Sequence, residues 1–378
     1  MNQESFALLS LCFVEGVGPV LTRRLIAALG EADAIFSADE RTLTSIEGVG
    51  VARARAIMTS RDRARRHAED ELVLAQQHST RIYTLADHDY PSMLREFDDS
   101  PTVLFVKGAL GAPSDRFCVA IVGSRDCSAY GLEQSERFAG VLGRAGLSVV
   151  SGGARGIDAA AHHACIRAGG RTLAVLGCGL AKCYPPEHRE LFDKIVSSGG
   201  ALVSELPMNT PPSAENFPAR NRIISGLSLG VVVIEAGLKS GALITAKIAA
   251  EEHGREVFAV PGRVDSPHSR GTHELLKAGG AHFTTDPGDV ISALEAPAHH
   301  VHAGTHGHRY ATATIELPAG VHPDPLARNI LDALSEPMSP DHLIQSTGAD
   351  APKVLAQLTL LEIQGRITRE GPRFKRVR

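Results

Sequence analysis

Between about residue 82 and residue 294, short continuous apolar runs alternate with longer amphipathic or alanine-rich segments. The runs are "CVAIVGS", "LSVVSGG", "TLAVLGCG", "ALVSE", "GVVVIEAG" and "EVFAVPG", and the segments between them include "LEQSERFAGVLGRA" and "ALITAKIAAEEHG". Near-continuous Val/Ile runs indicate strands covered on both faces. Strands that alternate with helices indicate a doubly wound, mainly parallel α/β sheet. This pattern assigns residues 71–294 to one domain. Ligands on such sheets bind beyond the carboxyl ends of the strands. Here that edge holds Gly123-Ser124-Arg125, "SGGARGID", "GCGLAKCYP", Ser204-Glu205, Glu235 and "VPGR".

The flanking regions have different periods. Residues 1–70 read as all-helical, with two similar units, "VEGVGPVLTRRLIAAL" and "IEGVGVARARAIM". Each sets Gly-Val-Gly in a tight turn just before a helix, where glycine permits positive φ and the helix presents unpaired N–H groups. This is the helix-hairpin-helix pattern, whose hairpins grip a phosphate backbone without reading sequence; the plainer reading is that the turns only join packed helices. Residues 295–324 form a linker rich in Pro, Ala, Gly and His. Its histidines His299, His300, His302, His306 and His308 lack a preformed metal geometry, so a plain linker is favoured. Residues 325–378 read helix, helix, helix, hairpin, the order of a winged helix.

Composition adds limits. The chain has 378 residues, 43% hydrophobic and 22% charged, enough for two or three domains with a sizeable core. No apolar run is long enough to span a membrane, and the N-terminus lacks the basic region of a secretory signal. The six cysteines show no CxxC pair, which suits thiols in a reducing, cytoplasmic compartment. The net charge of -4 gives no overall signature of nucleic-acid binding. The basic residues are instead clustered, in "RARAIMTSRDRARR" and in the tail "GRITREGPRFKRVR".

Chemistry concentrates at the sheet edge. "SGGARGIDAAAH" passes from a strand through a glycine-rich turn into a helix, so Gly152, Gly153 and Gly156 are candidates to cradle a phosphate, with Arg155 as an adjacent cation. Gly123-Ser124 and Ser240-Gly241 are candidates of the same kind. No Walker A loop follows, and in "GCGLAK" Lys182 replaces the third glycine of a dinucleotide fingerprint. Arg125, Arg155, Lys182, Arg220, Arg222 and Lys239 all fall in loops on one edge, which favours a shared anion groove. In "NFPARNRIISGLS" a helix starting near Ala219 places Arg220 and Arg222 in its first turn, the wrong end for cations unless an anion completes the site. The alternative is that they pair with carboxylates elsewhere. Asp158 and His162 are four apart on one helix, close enough to touch. Ser151, Glu205 and Glu235 lie near strand ends without an assignable catalytic role, and no metal-ligand spacing appears.

Taken together these residues closely resemble the DprA (Smf) family of bacterial DNA-processing proteins. The likeness runs in consistent order through "YPSML", "PTVLFVKG", "VAIVGSRDCSAYG", "SGGARGIDAAAH", "AVLGCGLAKCYPPEHREL", "GGALVSELP", "NFPARNRIISGLS", "VVVIEAGLKSGALITAKIAAE" and "VFAVPG". The resemblance implies an extended Rossmann-like domain that binds single-stranded DNA. It also implies protection of incoming strands in natural transformation, loading of RecA recombinase, a homodimer, no cofactor and no defining catalytic activity. Carried onto matching positions, it marks Arg125 of Gly-Ser-Arg, Phe217, Arg220 and Arg222 of "FPxRNR", and Lys239 of "KSG"; Lys182 lies in the loop before "YP". One departure is visible. The family usually has Gly-Thr-Asn where this chain has Gly271-Thr272-His273. Two other readings remain. A phosphoribohydrolase-like enzyme would reuse a glycine-rich turn but calls for a "PGGxGTxxE" motif that this chain lacks. A sequence-specific regulator would read bases with arginine or asparagine, yet the third helix of the last domain offers Lys353 and Gln357 instead.

Overall fold

The computed structural model describes residues 1–294 and, within 325–376, all but 335, 352, 355–356, 359–360, 362–365 and 371–372. The histidine-rich tract therefore lies outside the described residues.

The chain opens with α1 (Gln3–Leu11), α2 (Pro19–Leu29), α3 (Ala32–Ser37), α4 (Glu40–Thr44) and α5 (Val51–Gln77). Asn2 and Asp39 start α1 and α4 by accepting backbone N–H groups three residues on. Both Gly-Val-Gly segments form the expected turns, with Gly16 and Gly48 at φ 76° and 88°. Helix α5 runs past the boundary expected at residue 70, because Ala64, Ala68, Glu71 and Ala75 keep one stripe buried. That stripe faces the sheet. Leu8, Leu25 and Ile57 share a core with Val103, Phe105 and Met208, and the Glu71 carboxylate accepts the Met208 N–H. The helical segment and the sheet accordingly form one compact unit, Met1–Gly307, and the second unit is His308–Arg378.

The sheet is built from β1 (Thr80–Thr84), β2 (Val103–Gly108), β3 (Cys118–Val122), β4 (Ser148–Ser151), β5 (Thr172–Val175), β6 (Ala201–Ser204), β7 (Gly230–Val233), β8 (Glu256–Ala259) and β9 (His282–Phe283). The spatial order is β1-β2-β6-β5-β4-β3-β7-β8-β9. Strands β3 to β9 pair in parallel, and β2 joins β6 antiparallel with β1 beyond it. All six strands expected from apolar runs are present. Intervening helices are α6 (Ser92–Arg95), α7 (Ala129–Arg144), α8 (Ile157–Arg167), α9 (Arg189–Ser197), α10 (Asn216–Gly226), α11 (Gly241–Lys247) and α12 (Arg270–Lys277). Alternate strand residues feed two cores. Ala120, Val122, Val231 and Val233 meet Ile223, Ile224 and Ala246 on one face. Val119, Ile121 and Val232 meet Phe138, Ala161 and Leu294 on the other. Burial on both faces explains the near-continuous apolar runs.

The second unit contains α13 (Pro325–Ala333), α14 (Pro340–Thr347) and a hairpin of β10 (Ile367–Glu370) with β11 (Arg373–Arg376). Of the third expected helix, Ala351, Lys353, Val354, Gln357, Leu358 and Leu361 are helical. Ile330, Leu343, Leu358 and Phe374 give this unit its own core. The order helix, helix, helix, hairpin is that of a winged helix.

Candidate nucleic-acid interface

Strand β3 is the topological switch point. The chain proceeds from it to β4 on one side and later returns to β7 on the other. Helices α7 and α11 leave from β3 and β7 toward opposite faces, which opens a crevice at the carboxyl edge. A cavity of about 760 Å³ occupies it. Gly123, Ser124, Arg125 and Asp126 line it after β3, Ala154 and Asp158 after β4, and Tyr184 after β5. Pro212 to Ala214 and α10 supply a wall, and Ser240 to Thr245 supply most of another.

At this crevice Arg125 is exposed and Phe217 is partly exposed. The Arg125 guanidinium carbon stands 4.8 Å from the Phe217 ring centre, a cation–π distance. Tyr184 tilts against the same ring at 5.5 Å. Below it lies Gly177, where a Cβ would come within 2.7 Å of Phe217 Cδ1. The ring thus rests on a backbone with no side chain in the way. Sequence reasoning missed Tyr184, whose one signal is its place in "CYPP".

The two arginines of α10 are not at a helix start. Glu215 is the N-cap and the helix begins at Asn216, with Pro218 accommodated inside the first turn. Arg220 and Arg222 therefore fall in the second turn, where the argument from the N-terminal dipole no longer applies. Arg220 points inward and is only 5% exposed. Its Nη1 donates to the carbonyl of Gly152 at 2.7 Å and to that of Val175. Burial lowers its pKa to about 10, so the guanidinium stays protonated near neutral pH. Arg222 turns to a carboxylate, as the alternative reading required. It is ion-paired with Glu205 and approaches Asp99 at 3.9 Å.

The expected phosphate turns are occupied from within. Asp158 sits in the first turn of α8 and accepts the Ala154 N–H at 3.3 Å. Its carboxyl is buried, which raises its pKa although Arg220 pulls the other way. Glu235 plays the same part for α7, accepting from the Ser128 N–H and from its hydroxyl, both at 2.7 Å. Gly152 and Gly153 are buried, and Gly156 is the N-cap of α8. Ser240 caps α11 by accepting from Ala242 at 3.3 Å. Among the predicted cations, Arg155 is exposed and pairs with Glu187 at 2.5 Å, while Lys182 and Lys239 are exposed in loops after β5 and β7.

The groups considered for catalysis are engaged in packing. His162 is buried and turns to Thr172, with Nδ1 2.7 Å from Oγ1, rather than to Asp158. Ser151 Oγ donates to the Ile121 carbonyl at 2.6 Å. His273, where the family usually has asparagine, places Nε2 3.1 Å from the Gly262 carbonyl, a contact within the chain. The cysteines are free thiols. Among the described residues no His, Cys, Asp and Glu cluster suits a metal, and no helix is long and apolar enough to cross a membrane.

Comparison with known proteins agrees with this architecture. A family model described as DNA recombination-mediator protein A matches residues 81–295. A DprA winged helix domain matches 316–371, and a SAM-like helix-hairpin-helix tandem matches 8–60. Protein Smf of Escherichia coli (strain K12) is 39% identical over 83% of this chain and 82% of its own length. Protein Smf of Synechocystis is 35% identical over 99% of each chain. The X-ray structure of DNA processing protein A from Streptococcus pneumoniae aligns with a TM-score of 0.64 and 34% identity, covering 77% of this chain and 98% of that one. The Helicobacter pylori protein, in a structure concerned with its single-stranded DNA binding mode, aligns with a TM-score of 0.51 and 28% identity over 57% of this chain and 97% of that one. With a family model spanning the sheet domain and relatives matched over most of their length, the chain belongs to the DprA (Smf) family of DNA-processing proteins.

Proposed function

We propose that this chain binds single-stranded DNA, without catalysing a reaction on it, in the crevice between β3 and β7. The observation that carries this reading is the pairing of an exposed guanidinium, Arg125, with a partly exposed ring, Phe217, beside an open cavity. A single strand offers phosphates and unstacked base faces together, whereas a duplex hides the faces. The internal use of Asp158 and Glu235 argues for a strand over a mononucleotide cofactor. Asp158 takes the Ala154 N–H of the glycine-rich turn and Glu235 takes the Ser128 N–H at the start of α7, N–H groups that a nucleotide phosphate would otherwise use. Phosphate attraction is left to the exposed side chains of Arg125, Arg155, Lys182 and Lys239. Binding of that kind is salt-dependent and tolerant of sequence.

Membership of the family supports the same ligand, as does the single-stranded DNA binding of the Helicobacter pylori protein. The fuller role we propose is protection of incoming strands during natural transformation and delivery of them to RecA recombinase, by a homodimer in the cytoplasm. The occupied states of Ser151, His162, Glu205 and Glu235 support a non-catalytic protein. The test is a filter-binding comparison of single-stranded, duplex and mononucleotide ligands, with nucleotide turnover followed in parallel. Preference for the single strand without turnover is expected. Equal affinity for duplex defeats the crevice reading, and steady turnover restores an enzyme.

A further inference from the structure

We infer that Arg220 is a positioning residue for Phe217, acting through the β5 loop and not as a phosphate ligand. The inference rests on the proposed single-strand reading of the crevice. Arg220 and Phe217 stand three apart on α10, close to one helical turn. Both reach the same stretch of chain. Arg220 Nη1 bonds the Val175 carbonyl at the end of β5, and the Phe217 ring lies over Gly177, two residues further on. The same Nη1 bonds the Gly152 carbonyl at 2.7 Å, so one guanidinium ties α10 to the ends of both β4 and β5. A helix held at one point can still roll about its axis. Held by a buried charged donor on two carbonyls, it cannot roll without breaking strong, charge-assisted bonds. The roll angle sets where the ring faces.

Close packing around the guanidinium agrees with a fixed strut. A Cβ on Gly152 would fall 2.6 Å from Arg220 Nη2 and 2.7 Å from Asp158 Oδ2. A strand phosphate would have to compete with two carbonyls already in place.

The experiment measures binding of an oligonucleotide carrying the fluorescent base 2-aminopurine to Arg220→Met, Phe217→Ala, the double variant and Arg125→Ala, across a salt series. Stacking on an aromatic ring quenches this base. If Arg220 positions the ring, Arg220→Met loses much of the quenching and binds roughly 5- to 150-fold more weakly, the range one stacked base supplies. Its salt slope stays that of the unaltered protein, and adding it to Phe217→Ala causes little further loss. If Arg220 contacts a phosphate, its slope falls by roughly 0.7, as for Arg125→Ala, and its effect adds to that of Phe217→Ala. That result overturns the inference. Should Arg220→Met fold poorly, Arg220→Lys gives the same test, because an ammonium keeps the charge for a phosphate but not the guanidinium geometry that holds two carbonyls. A quenching loss at unchanged salt slope is expected; full quenching with full affinity overturns the inference. Failure of the unaltered protein to bind the oligonucleotide would refute the single-strand reading itself.

Discussion

The guanidinium carbon of Arg125, at the end of β3, lies 4.8 Å from the ring centre of Phe217 on α10. A cation and an aromatic ring from distant parts of the chain are thereby brought together beside the crevice. Their contributions should separate by salt. Arg125→Ala should lower the dependence of log affinity on log salt by roughly 0.7, the loss of one single-strand phosphate contact. Phe217→Ala should cost about 1–3 kcal/mol of binding and leave the slope in place. Salt titrations with melting curves decide it. A Phe217→Ala protein that melts far below the unaltered one would make the ring a core plug instead.

Arg222 should behave as a stability residue. Its side chain and that of Glu205 are 15% and 16% exposed, so removing the cation strands a buried carboxylate. Arg222→Ala should lose about 3–5 kcal/mol of folding stability at neutral pH. Burial raises the Glu205 pKa, and Arg222 pulls it back down. Without Arg222 the carboxyl takes up its proton at higher pH than in the unaltered protein, so the deficit should shrink as pH falls and the folded variant protonates first. Denaturant melts at two pH values measure this. An Arg222→Ala protein of full stability with a reduced salt slope would return Arg222 to the DNA site.

His162 should make the protein acid-sensitive. Burial lowers its pKa to about 3, against roughly 6.5 in an unfolded chain. Between these values the unfolded chain binds a proton and the folded one does not. The stabilisation from neutral His162 is therefore complete above pH about 6.5 and declines below it, by about 1.4 kcal/mol per pH unit. Urea unfolding from neutral pH to about pH 5 should show the decline, and His162→Gln should flatten it. Parallel pH curves for the two proteins would place the acid sensitivity elsewhere.

Removal of residues 308–378 should leave most single-strand affinity. This unit is compact by itself and has its own core, whereas the crevice belongs wholly to the other unit. The basic hairpin of β10 and β11 should account for a salt-sensitive remainder. Equilibrium binding of the truncated protein, with circular dichroism to verify its fold, is the measurement. Near-complete loss of binding by a folded truncation would move the main site to the winged helix.

The parallel core, the flanking helical and winged regions, and the residues gathered at one edge were all legible in the order of amino acids. Strands such as Cys118–Val122 stand out because burial on both faces demands an unbroken apolar run. Of the three added strands, β2 has such a run in "VLFV", but β1 and β9 do not. β1 "TRIYT" has only partial burial and β9 has two residues, too little for a periodic signal. The family resemblance, too, is carried by ordered motifs without any coordinates. What each cation does is a matter of three-dimensional packing. Arg220 and Arg222 sit two apart in "RNR", and helical geometry sends them to different surroundings, one to the carbonyls of Gly152 and Val175 and the other to Glu205. Likewise the Ala154 N–H in the glycine-rich turn is taken by Asp158 from four residues along. Local pattern reports which residues can bind an anion; whether an internal carboxylate or carbonyl arrives first depends on contacts between segments far apart in the chain.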